Sequence, residues 1–264
     1  MPRIAPVSEP RRAFGRLRRR IADIEKRTFR GPAPIAAPVE HGTIGPMRLA
    51  PRAIHELRVG DYRDAPAALG LGLVLASVMA ARSHKPLIWI GATRDAFQAG
   101  FPYGCGLSVY GVNLDQTLFV HARDQKSLLW AAEEAAQNAS IVLCEFWKPH
   151  PLLNLTATRR LQLAAQSTGA NVLLLRDARD ETPSAARTRW RIEAAQSAPD
   201  PLDEKGLGRP RWAATLEKCR DGGRGRWVLE WDHDKRELKE AAPHPRRVVS
   251  PLVYGSSQKT AASA

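Results

Sequence analysis

The chain has 264 residues, 44% of them hydrophobic, enough to bury the core of one domain of ordinary or large size. Its net charge of +13 and pI near 10.3 favour polyanions, meaning nucleic acid or an anionic surface, as partners. Three unpaired cysteines, Cys105, Cys144 and Cys219, argue against a disulfide framework and for a reducing cytosol, and no segment reads as long and apolar enough to span a bilayer.

Residues 1–30 hold ten Lys or Arg and three acids, a local charge of +7. Within them Phe14, Leu17, Ile21 and Ile24 step by three, four and three. That spacing predicts one narrow apolar seam on a helix, with Ser8 as its cap and Pro10 near its first turn. The remaining faces are too polar for a core helix. Two uses stand open. The seam docks on a protein surface, or Arg16, Arg18, Arg19 and Arg20 contact phosphates. The stretch lacks the apolar centre of a signal peptide.

Residues 31–50 are rich in Pro and Gly and read as a linker, closing a first unit of 1–50. A core is expected over 51–238. "AIHELRV" (53–59), "PLIWIGA" (86–92), "TLFVHA" (117–122), "SIVLCEFW" (140–147) and "NVLLLRD" (171–177) read as strands. Helices are expected over 66–82, 126–138 and 156–168. Strands that are apolar throughout, separated by helices, predict parallel βαβ units. "GLSVYG" (106–111) misses a nucleophile elbow by one position and reads as a glycine-rich loop. "RWAATLEKC" and "RWVLEWD" flank "RDGGRG", a hairpin signal. Residues 239–264 have no periodicity and are expected to be disordered when free.

The stretch "VGDYRDAPAAL" (59–69) joins a strand to a helix, where a phosphate-binding loop belongs. The motif G-x-x-x-x-G-K-[ST] needs glycines for a backbone cradle, a lysine for the β and γ charges and a hydroxyl for magnesium. Laid on Gly60, its later positions fall on Ala65, Pro66 and Ala67. The first glycine is present and the chemistry is gone. Pro66 removes an N–H, and Asp61 and Asp64 bring negative charge. Asp64 and Pro66 instead suit a helix cap and first turn.

Elsewhere, "GLGLVL" has Leu75 at the third glycine of a dinucleotide fingerprint. The seven histidines show no metal-ligand spacing, so neither a metal nor another cofactor is expected. Trp190, Trp212, Trp227 and Trp231 stand among arginines that include Arg211, Arg224 and Arg226. They stack bases of single-stranded nucleic acid, with those arginines on phosphates, or they cover the core while arginines face water. The alternation of Trp212, Ala214 and Leu216 with Arg211, Ala213 and Thr215 leans toward the second.

The chain resembles the ImuA family, RecA-like proteins of the bacterial inducible mutagenesis cassette. The likeness runs through "RLRRRIADIE", "IHELRVGDYRDAPAALGL", "LIWIGATRDAFQAGFPYGCGL" and "RPRWAATLEKCRDGGRGRWVLEWD", most of residues 10–235. It implies a RecA-like α/β fold, a mostly parallel sheet flanked by helices, that has lost its ATPase. Thr93, Arg94 and Asp95 stand where a RecA-type enzyme carries its catalytic Glu, and Glu145 stands near the position of a magnesium-binding Asp. The resemblance further implies a non-enzymatic accessory subunit of translesion synthesis. Its partners would be an ImuB-like Y-family protein, an error-prone DnaE-type polymerase and DNA bound without sequence preference. N-terminal helices of RecA-type proteins pack on the next protomer, so self-association is a further use of the seam. The alternatives are a RecA-like ATP-binding repair protein with an atypical site and a RecA-like cell-division inhibitor.

Overall fold

The computed structural model describes residues 43–81, 83–92, 103–198, 206 and 208–241. Six strands run parallel: β3 (Ile54–Val59), β4 (Leu87–Ala92), β5 (Thr117–Ala122), β6 (Ile141–Phe146), β7 (Asn171–Arg176) and β8 (Thr188–Ala195). Three more extend the sheet antiparallel: β9 (Arg211–Cys219), β10 (Gly225–Asp232) and β11 (Glu237–Glu240). The order is β11-β10-β9-β8-β3-β7-β6-β4-β5. The α/β reading therefore holds, and "TRWRIEAA" forms β8, the strand that joins the two halves. Gly222 and Gly223 both take positive φ at the β9–β10 turn, as the Asp-Gly-Gly signal requires.

Four helices flank the sheet: α1 (Ala65–Ala80), α2 (Gly104–Val109), α3 (Gln125–Asn138) and α4 (Leu155–Thr168). The pleat sorts each strand into two cores. On β6, Ile141 and Leu143 join the cluster that contains α1, and Val142, Cys144 and Phe146 join the cluster that contains α3 and α4. Asp124 and Asn154 cap α3 and α4 by accepting from Ser127 N and Ala157 N.

Among the described residues, Tyr62–Ala80 is long and apolar enough to cross a membrane by length and composition. In the fold it lies inside, because a helix apolar on all sides needs cover all round. The sheet supplies one side. Leu107 and Val112 join the same cluster, as do Ile44, Met47 and Leu49.

Those last three revise the expected domain boundary. Residues 43–50, read as linker, carry the two-residue strands β1 (Thr43–Ile44) and β2 (Met47–Arg48), and Met47 is fully buried. The Gly-rich composition here serves a tight turn at Gly45 rather than a flexible tether. At the other end β11 runs to Glu240 and Ala241 is buried, so the expected tail boundary at 239 cuts a strand. "GLSVYG" is also corrected: Gly104–Val109 is helical, and the chain turns only at Gly111.

A largely buried ionic network ties β3, β7 and β8 together. Arg176 on β7 is fully buried between Glu56 of β3 and Asp180, whose Oδ2 lies 2.6 Å from Nη2. Arg189 of β8 donates to the other oxygen of Glu56 at 2.6 Å. Two carboxylates and two guanidiniums thus satisfy one another, with only Arg189 partly reached by solvent.

Candidate functional site

The strand-to-helix loop after β3 lies at the C-terminal end of the parallel strands, where open α/β sheets place their ligand crevice. Five of its backbone N–H groups are engaged within the protein. Gly60 N donates to Ile192 O at 2.9 Å, Asp64 N to Asp61 O at 3.0 Å, and Ala65 N to Tyr62 O. Asp61 N donates to Asp64 Oδ2 at 2.9 Å, and Arg63 N to Asp61 Oδ1 at 3.0 Å. Pro66 has no N–H to give. Asp61 and Asp64 form a reciprocal capping box around the single 3-10 turn Tyr62–Asp64.

Asp64 therefore does not cap α1 with its side chain, as the sequence led one to expect. Its second oxygen accepts from Ala194 N of β8 at 2.8 Å. Pro66 does sit in the first turn of α1. The glycine at 60 has a reason that involves no phosphate. A Cβ there would lie 2.6 Å from Glu193 Cγ and 2.9 Å from Asp64 Oδ2. Glu193 is in turn held by Arg226 at 3.0 Å and Arg191 at 3.5 Å. The seat that a phosphate would take is crowded by the protein's own carboxylates, and an incoming anion would meet like charge. Ala67 offers no hydroxyl, and its carbonyl accepts from the Trp212 indole at 2.7 Å.

Glu145 lies at the end of β6, 5% exposed, between two indoles. Trp89 Nε1 donates to one carboxylate oxygen and Trp147 Nε1 to the other, the second at 2.5 Å. Both oxygens are engaged. Among the described residues no group of three His, Cys, Asp or Glu side chains gathers as metal ligands. Thr93, Arg94 and Asp95 lie outside the described residues, as do Phe14, Leu17, Ile21 and Ile24 with Arg16, Arg18, Arg19 and Arg20.

Of the arginine and tryptophan pattern, the core reading holds. Trp190, Trp212 and Trp231 are at most 2% exposed, and Trp227 is half-buried against Trp190, 5.5 Å between ring centroids. Buried rings cannot stack bases. Arg211 is withdrawn too: 11% exposed, it grips Glu230 at 2.6 Å. Arg224 and Arg226 stay at the surface. Sequence reasoning missed Glu193. The alternation of Arg189, Arg191 and Glu193 hinted at one polar face, but only the β3–β8 pairing brings that face to Gly60.

No family model matches the chain. Protein ImuA of Caulobacter vibrioides, strain NA1000 / CB15N, is 36% identical over 216 residues, covering 75% of this chain and 80% of the relative. The belonging is plain from that span. The chain belongs to the ImuA family. The ImuA of a second strain of the same species, ATCC 19089 / CIP 103742 / CB 15, matches to the same extent. Among solved structures, a KaiC-like protein from Pyrococcus horikoshii is 13% identical, with a TM-score of 0.46 over 77% of this chain and 98% of its own. No argument about the ImuA-type chain rests on so distant a likeness.

Proposed function

We propose that the chain is a non-enzymatic accessory subunit of damage-induced translesion DNA synthesis, working in the cytoplasm. It would hold an ImuB-like Y-family partner and an error-prone DnaE-type polymerase near DNA. The observation that carries the non-enzymatic part is the occupied loop. The backbone N–H groups of Gly60, Asp61, Arg63, Asp64 and Ala65 are engaged internally, and Glu193 crowds Gly60. Family membership supports the mutagenesis role. The DNA part rests on charge. Residues 1–42 carry ten basic and four acidic side chains, and 242–264 carry three basic and no acidic ones. Contacts of that kind bind phosphates without reading sequence and weaken steeply with salt.

Calorimetry with ATP and magnesium tests the reading. No binding is expected. A dissociation constant at or below about 10 μM, near 7 kcal/mol, overturns it in favour of a RecA-like ATP-binding protein with an atypical site.

A further inference from the structure

A groove of about 370 Å³ runs beside α4, lined by Leu155, Arg159, Leu163 and Gln166 on the helix and by Ala185 and Arg220 opposite. Its size is at the low end of ligand-holding cavities. The sheet-facing stripe of α4 is Ala157, Thr158, Leu161, Gln162 and Ala165. Leu155, Arg159 and Leu163 step by four along the flank next to it, so they share one line. Leu155 is 46% exposed and Leu163 60%, two large apolar side chains left in water at either end of that line. Between them Arg159 has no acid, among the described residues, of the kind that neutralises its neighbours. Arg160 pairs with Glu133, and Arg187 with Asp221. Arg220 donates to Ala185 O at 3.0 Å, which fixes its guanidinium at the far wall.

We propose that this groove docks a segment of a partner protein bearing two apolar anchors about 12 Å apart with carboxylates between them. The length follows from eight residues at a rise of about 1.5 Å each. A helical ligand meets it with anchors seven or eight residues apart, and an extended one with anchors about four apart. The chain's own ends do not fit. Residues 1–30 carry a net +7, and 242–264 hold three basic residues and no acid, so Arg159 and Arg220 repel both. A second copy, itself at +13, is disfavoured by the same repulsion. The groove adds a docking surface to the role proposed above and stands without it.

The test selects phage-displayed peptides of about 16 residues on the full-length chain, long enough for either binding mode. The best binders are then titrated by fluorescence anisotropy against the parent, Leu163→Ser and the double variant Arg159→Glu, Arg220→Glu. Circular dichroism melting is the folding control, and exposed Leu163 and Arg159 should leave it unchanged. Selected peptides should be acidic with two apolar anchors, and should bind each variant at least tenfold more weakly. A peptide with its acids changed to Lys should prefer the double variant. Peptides that are basic, or that bind both variants as well as the parent, overturn the proposal. So does a library yielding no sequence sensitive to Leu163. Concentration-dependent dimers of the parent that Leu163→Ser abolishes would make a second copy the occupant, against the proposal. Failure here leaves the ATP calorimetry, and the reading it tests, untouched.

Discussion

Acid should loosen this fold through His55 before its carboxylates respond. The ring is fully buried on β3. Nε2 lies 2.9 Å from Ala50 O and Nδ1 lies 2.7 Å from Thr188 Oγ1. A carbonyl only accepts, so Nε2 carries the hydrogen and Nδ1 accepts from the threonine hydroxyl. The pKa is lowered from 6.5 to about 4: burial pushes it down, the Ala50 bond pulls part of the way back, and the charge of Arg187 adds to the lowering. The folded value is below the unfolded one, so the unfolded chain takes the proton first as pH falls. The stabilisation is complete above pH 6.5, shrinks down to about pH 4 and then levels off. At about 1.4 kcal/mol per pH unit the loss is about 3 kcal/mol. Asp177, Asp180, Glu230 and Asp232 are all held below their ordinary values of 3.8 for Asp and 4.5 for Glu, so their share is lost only from about pH 4.5 downward, after most of the His55 loss. Urea unfolding followed by tryptophan fluorescence between pH 7.5 and 4.5 should show the slope. His55→Gln, which keeps a donor and an acceptor, should be less stable at pH 7.5 and nearly flat between pH 6.5 and 4.5. A variant whose stability falls as steeply as the parent's refutes the assignment.

Arg176→Leu should cost about 3–5 kcal/mol in thermal or urea unfolding, because it strands buried Asp180 without its guanidinium and leaves Glu56 with Arg189 alone. Rebuilding the phosphate-loop motif with Ala65→Gly, Pro66→Lys and Ala67→Ser should still leave ATP unbound at about 1 mM, since Glu193 and Asp64 keep their places. Calorimetric binding by that triple variant alone counts against the crowding argument. For residues 1–30, Leu17→Asp with Ile21→Asp should abolish pull-down of an ImuB-like partner or a second copy, with unchanged circular dichroism of the core. Burying the four seam side chains is worth about 6–12 kcal/mol before ordering costs. Arg18, Arg19 and Arg20 changed to Gln should weaken DNA binding more than docking, read as a smaller loss of affinity between about 50 and 200 mM salt.

The parallel half of the sheet was legible because its strands are apolar without interruption, and only burial on both faces explains "SIVLCEF" or "NVLLL". The loss of the phosphate motif at Ala65, Pro66 and Ala67 was legible for a related reason: the chemistry needs particular atoms, and they are missing. What closed the loop was not legible. Glu193 is 133 residues from Gly60, and nothing local marks two strands as neighbours in a parallel sheet. The β1–β2 hairpin was hidden by composition, since Pro and Gly serve a tight, packed turn as well as a tether. Trp190 and Trp231 invited a nucleic-acid reading because of the arginines beside them. On a strand, adjacent residues face opposite ways, so an Arg neighbour says nothing about where an indole points.

The first hairpin and the last strand touch. A Cβ at Gly45 would lie 2.5 Å from the carbonyl oxygen of Leu238, and Arg48 donates to Gly222 O at 3.3 Å. The chain therefore enters and leaves its described core at one place. Residues 1–42, with ten basic and four acidic side chains, and 242–264, with three basic and no acidic ones, join the core at neighbouring points. When one of them meets a polyanion, the other is already held nearby at high effective concentration, so the second contact comes without a second search. Removing either segment should then weaken the grip by more than its own share of the charge.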